Sequence, residues 1–156
     1  MLTINVVTLF PEVITPYLAA SIPGRTAAAG KVSYRVVQLR DFAHDKHQTV
    51  DDYAFGGGAG MVLRAEPFVE AVESLGVTGP VVVMSARGRR FSHDDAVRWS
   101  LGSQLTLLCG HYKDIDSAWS TSLLRKKCRS VISCSRVVSQ QRCVYSTRWC
   151  GSCRAR

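Results

Sequence analysis

No aspartate or glutamate occurs after Asp116 in this chain of 156 residues. Residues 117–156 carry nine Lys and Arg, whereas residues 1–116 hold 11 Lys and Arg against 12 Asp and Glu. The formal net charge of +8 therefore belongs to the tail, which excludes a uniformly basic coat for an acidic partner. Cysteine is scarce in the opposite place. Residues 1–116 contain only Cys109, and Cys128, Cys134, Cys143, Cys150 and Cys153 follow the seam. That scarcity excludes a disulfide framework in the front part and points to a reducing, cytoplasmic compartment. Apolar runs of membrane-spanning length are missing. The start, "MLTINVVTLFPEV", has no basic residue and meets Pro11 too early for a signal peptide. There is no internal repeat and no Ser- or Cys-triad signature.

What is present is an alternation of strands and helices. "LTINVVTLF" (Leu2–Phe10) is a β-branched apolar run that Pro11 ends, which predicts a buried strand. "PEVITPYLAASI" predicts a helix interrupted at Pro16, and "GRTAAAGK" predicts a flexible turn. Val32–Phe42 has strand propensity, and "HDKHQTVDDYAFGGGAG" reads as a long polar loop. "AEPFVEAVESLG" sets Phe68, Val69, Val72 and Leu75 on one helical face, with Pro67 near its start and Gly76 past its end. Pro80–Ser85 is an apolar strand, Ser92 and Asp95 have capping-box spacing at the start of a helix, and Gln104–Gly110 is a further buried strand. The pattern predicts an α/β fold with a mostly parallel sheet, Val81–Met84 lying beside Leu105–Leu108 at its centre.

In such sheets ligands sit at the carboxyl ends of strands. "SARGRR" and "GHYKDID" are the two loops so placed, although spacing alone does not separate a ligand loop from a plain strand exit. The cluster "FGGGAGM" lacks the Lys-Ser/Thr of a phosphate loop. It permits positive φ or close approach to another chain or a flat ligand, and it also suits a simple flexible loop. His44, Asp45, His47, Asp51 and Asp52 match no metal-ligand spacing, so a solvated loop and no metal are expected. Cys109 ends an apolar strand and reads as an inert core thiol.

The order of "LFPE", "GR", "RDF.HD.H.TVDD..(Y/F)GGG.GM" and "CG.Y..ID" over residues 1–116 resembles the bacterial tRNA (guanine-N1)-methyltransferases. The resemblance implies a trefoil-knot (SPOUT-type) α/β fold, a homodimer, S-adenosyl-L-methionine as methyl donor, and tRNA as substrate, methylated on the guanosine 3′ of the anticodon. Carried onto this sequence, it implies that Gly110, Tyr112, Ser85 and Ala86 bind the donor, and that Asp51, Gly57 and Gly58 approach the target guanosine. Lys113 stands where the family often has Glu. The base that takes the guanine N1 proton is implied to be a partner-subunit aspartate beyond residue 156, so no catalytic residue is assigned here.

The family's next segment, a "SIGDYVLSGGE.PA" type of run that completes donor site and knot, is not legible after Asp116. It reappears when "SLLRKKCRS" and the residues after it are back-translated and read one base out of frame. The shifted frame gives V-A-A-T-E-E-V-S and then "VGDFVLSGGEPAAV". Synonymous codon choice leaves mainly the first base of each new codon free, so chance recovery is remote. On this reading residues 1–116 are the front of a methyltransferase domain with a partial knot. Residues 117–156 are an out-of-frame, poorly ordered tail, and the chain as it stands is inactive. The other reading is a non-enzymatic protein whose tail binds RNA through Arg125, Lys126, Lys127 and Arg129, or zinc through Cys150 and Cys153. Resequencing across the codons for Asp116–Ser122 is expected to reveal one extra or missing base. An unchanged sequence, with zinc in the purified protein, would favour the second reading.

Overall fold

The computed structural model describes residues 1–53, 60–112, 115 and 116, and the backbone of residues 128–133. Five strands form one sheet: β1 (Leu2–Thr8), β2 (Val32–Gln38), β5 (Val81–Arg90), β6 (Gln104–Cys109) and β7 (Cys128–Ser133). Their order is β2-β1-β6-β5-β7, and every neighbouring pair is parallel. The expected α/β class, and the central adjacency of Val81–Met84 and Leu105–Leu108, are therefore found. A second, two-stranded sheet pairs β3 (Asp51–Tyr53) with β4 (Met61–Leu63) antiparallel.

Strand side chains alternate between faces, and both faces of this sheet are covered. From β1, Leu2, Ile4 and Val6 enter one apolar cluster, with Val82, Leu105, and Ala96 and Trp99 of helix α4 (His93–Ser100). Val7 and Leu9 enter the other, with Val81, Val83, Leu108, and Phe68, Ala71, Val72 and Leu75 in and just after helix α3 (Ala65–Ser74). Asn5 lies buried between β1 and β6, where its Nδ2 donates to Thr106 Oγ1 at 3.1 Å. Both helices start as their sequences indicate. Ser92 Oγ accepts from the Asp95 backbone N–H at 3.3 Å, and Ser92 N–H donates to Asp95 Oδ2 at 3.1 Å, closing the capping box.

Six elements differ from the sequence reading. "GRTAA" is not a turn but most of helix α2 (Ser21–Ala28), because its alanines carry the highest helix propensity, and the turn begins only at Ala29. Helix α1 (Pro11–Ala19) stops short of Ile22: Ala20 is extended and Ser21 takes φ 50°. Val32–Phe42 splits into β2 and a 3₁₀ turn over Leu39–Phe42, which drives Leu39 fully into the core. The polar loop is partly organised as the β3–β4 pair, and β5 runs on to Arg90 rather than ending at Ser85. No element was expected in the tail, yet Cys128–Ser133 forms the edge strand β7. Otherwise the residues after Asp116, including the knot-completing segment, Arg125–Lys127, Cys150 and Cys153, lie outside the described residues.

Gly24 belongs to the "GR" motif, and its place is set by close approach. A Cβ there would sit 2.1 Å from the carbonyl oxygen of Ala19, where α1 turns into α2. Neither atom is on a flexible side chain, so backbone must shift. Gly24→Ala is expected to destabilise the fold by about 1–3 kcal/mol, an overpacking cost that exceeds the helix-propensity gain. Thermal unfolding checks this, and an unchanged midpoint would contradict it.

Candidate functional site

The carboxyl ends of three adjacent strands meet at one edge of the molecule. In the register of β5 against β6, Met84 lies opposite Cys109. The β5–β6 ladder ends there, so the next residues, Ser85 within β5 and Gly110 just after β6, follow side by side, about one strand spacing of 4.8 Å apart. Val7 of β1 lies opposite Leu108, which brings Leu9 and Phe10 to the same end. There the Phe10 and His111 rings meet edge-to-face at 5.0 Å, and His111 meets Tyr112 in the same way at 4.9 Å. Tyr112 holds a left-handed backbone, φ 58°, with 48% of its surface exposed. That conformation costs a non-glycine residue about 1–3 kcal/mol, so it marks a constrained turn.

Gly110 is not at positive φ. A Cβ there would lie 3.5 Å from the Met84 carbonyl oxygen and 3.5 Å from Ile115 Cγ1, which is ordinary contact. A methyl group there would pack against Met84 and Ile115 without displacing either. Ala86 is placed by its backbone within β5.

Beyond Tyr112 the chain crosses to the small sheet. Leu63 and Ile115 form a parallel bridge, and Asp116 N–H donates to the Leu63 carbonyl at 2.8 Å. Ile115 is buried in the α3-side core and touches Gly110 as above. Asp51 lies opposite Leu63 in the β3–β4 pair. One line of backbone therefore runs from Asp51 through Leu63 and Ile115 to Gly110. Of the residues singled out in the sequence, Ser85, Gly110 and Tyr112 converge, and Asp51 is tied to them through this bridge. Gly57, Gly58 and Lys113 lie outside the described residues. Sequence reasoning overlooked Phe10, His111 and Ile115, although each stands inside or beside a quoted motif. The lone apolar Ile115 in a polar run was the available signal.

The polar loop before Asp51 is fixed by local bonds. Asp45 Oδ1 accepts from the Thr49 backbone N–H at 2.8 Å, and bonding to Thr49 lowers the Asp45 carboxyl. Arg40 Nη1 donates to the Gln48 carbonyl at 3.2 Å. His44 Nε2 lies 2.6 Å from Glu70 Oε2 on α3. Among the described residues no three His, Cys, Asp or Glu side chains gather as a metal site. Burial pushes the Cys109 thiol up to about 12, and the side chain packs half-buried against the α4-side cluster.

A charged cluster joins the far end of β5 to the start of α4. The Asp95 side chain, 3% exposed, accepts from Arg89 Nη1 at 2.5 Å and Nη2 at 2.6 Å, and from Arg98 Nη2 at 2.5 Å. Bonds from Arg89 and Ser92 outweigh desolvation and hold its carboxyl well below the usual carboxylate range.

A family model described as tRNA (guanine-1)-methyltransferase TrmD matches residues 2–134. That match runs past the compositional seam at residue 116. The chain is 43% identical over 115 residues to the tRNA (guanine-N(1)-)-methyltransferase of Lactobacillus delbrueckii subsp. bulgaricus, covering 74% of this chain and 46% of that protein. It is 39% identical over 129 residues to the Moorella thermoacetica protein of the same name, covering 80% of this chain and 52% of the relative. The chain thus spans about half the length of the curated relatives it matches. The crystal structure of tRNA (m1G37) methyltransferase from Aquifex aeolicus superposes with a TM-score of 0.73 at 29% identity, over 85% of this chain and 59% of that one.

The depressed Asp95 carboxyl carries a pH dependence. Its folded value lies below the ordinary 3.8, so its contribution to stability is full above that value and is lost as pH falls below it. Stability measured by urea unfolding is expected to fall below about pH 4 more steeply in the parent than in Asp95→Asn. Equal acid-limb slopes would contradict this assignment.

Proposed function

Because this chain belongs to the tRNA (guanine-1)-methyltransferase TrmD family, we propose that its site is the donor-side half of an enzyme methylating N1 of a tRNA guanosine. The observation that supports this most is the β5–β6 register, which sets Ser85 beside Gly110. Ser85, Ala86, Gly110 and Tyr112 would hold S-adenosyl-L-methionine, which when bound supplies an electrophilic methyl group. Small side chains at Ser85, Ala86 and Gly110 let the ligand reach backbone hydrogen-bonding groups at the strand ends. The His111 ring, packed between Phe10 and Tyr112, orients the turn that closes this side. Asp51, with Gly57 and Gly58, would face the guanosine 3′ of the anticodon. The Leu63–Ile115 bridge couples that side to the donor side. Holding donor and acceptor in line is the larger part of such catalysis. The N1 proton must leave as well, and no group in residues 1–116 is assigned that task.

The finer fold assignment is part of the same proposal. The parallel sheet is the front of a trefoil knot, the assembled enzyme is a cytoplasmic homodimer, and its partner is tRNA. The tail after Asp116 is the family's donor loop read out of frame. Supporting this are the absence of acid in residues 117–156 and the "VGDFVLSGGEPA" recovered by a one-base shift. In the present frame that glycine-rich segment is missing, so the donor meets only one wall of a site that should enclose it. Calorimetry with S-adenosyl-L-methionine at micromolar concentration is expected to register binding in a chain with the frame restored after Asp116, and none in the present chain, whose one-walled site takes the donor only weakly, at millimolar concentration. Tight binding, or methylation of tRNA guanosine by the present chain, would show the tail to be functional sequence and overturn the frame-shift reading.

A further inference from the structure

We propose that Asp95 and Arg89 are a positioning pair for the loop Ser85–Gly88, an inference that rests on the donor-site reading above. The β5 strand breaks register after Met84 and regains it at Arg89, and both residues lie opposite Ile132 of β7. Residues 85–88 are therefore an excursion with two fixed ends. The first end is held by the ladder at Met84 and Cys109. The second is held by the Arg89 guanidinium, whose two hydrogen bonds to Asp95 fix its plane as well as its distance.

Asp95 is itself immobilised. It stands in the first turn of α4, accepts from the backbone and hydroxyl of Ser92 at 3.1 and 3.0 Å, and receives Arg98 from the next turn. Helix α4 is in turn seated by Ala96 and Trp99, and Trp99 packs on Phe91 with ring centroids 5.7 Å apart. The far end of this excursion is thus tied to helix α4 by the Arg89–Asp95 ion pair, beside its pairing with β7 at Arg89 and Arg90. A role confined to capping α4 needs only Ser92 and Asp95. The bidentate reach of Arg89 back to the strand is what that role leaves unexplained.

The pair acts on the loop, so its removal must displace the loop rather than merely loosen the helix. The test uses this chain, isotope-labelled, with variants Arg89→Lys, Asp95→Asn, Ser92→Ala and Arg98→Ala. Amide resonances of Ser85–Gly88 and Gly110 are recorded without ligand and with S-adenosyl-L-methionine at millimolar concentration, beside the thermal midpoint of each variant. Arg89→Lys keeps the charge and the capping box but loses the fork. It is expected to displace the loop amides and to cut the donor-induced shifts at least fivefold. Asp95→Asn, where it folds, is expected to do the same. Ser92→Ala should lower the midpoint through the lost cap and leave the loop amides in place, as should Arg98→Ala. Parent-like loop amides in Arg89→Lys, or an equal displacement in Ser92→Ala, would overturn the proposal. Absence of any donor-induced shift in the parent would count against the donor-site reading alone. The ligand-free amides then still decide the positioning role, in favour if Arg89→Lys displaces them and Ser92→Ala does not, and against otherwise.

Discussion

The parallel register of β1, β6 and β5 is the constraint on which everything at the site depends. Each strand buries alternate side chains in opposite cores, so a slip of one residue would send Val7, Val81, Val83 and Leu108 to the wrong side at once. Because the register cannot drift, the residues just past the strand ends are positioned without contacts of their own. Ser85 and Gly110 adjoin because Met84 and Cys109 do. Small residues suffice there, since the sheet has already done the placing.

A second constraint joins the sheet to the β3–β4 pair. Ile115 is at once a core residue, a bridge partner of Leu63 and the neighbour of Gly110. The segment after β6 is therefore drawn across the α3 side of the molecule, taking the Tyr112 turn with it. The left-handed backbone of Tyr112 fits a turn held at both ends, by the Phe10–His111 contact before it and by Ile115 after it.

Much of this was legible in the chain itself. Continuous apolar runs gave β1, β5 and β6, and Ser92 with Asp95 gave the start of α4, because burial on two faces and capping are local signals. Helix α2 was missed because Gly24 reads as a breaker. Here it marks a close approach to Ala19, which only the packed structure displays. The continuation of β5 through Arg90 was missed because "SARGRR" is polar and glycine-containing. The ion pair from Arg89 to Asp95 that holds it is tertiary. At the site, the motif residues Ser85, Gly110, Tyr112 and Asp51 were named from resemblance. Their connection through Leu63 and Ile115 depends on a bridge between segments far apart in sequence.

The central claim is that the methyl donor lies at the carboxyl ends of β5 and β6. Ultraviolet cross-linking of radiolabelled S-adenosyl-L-methionine at millimolar concentration, followed by peptide mapping, tests it most directly. The account predicts label in the peptides spanning residues 85–91 and 109–116, diminished by excess unlabelled donor. Label confined to the β3–β4 segment or to residues 117–156, or no competable label at all, would contradict it.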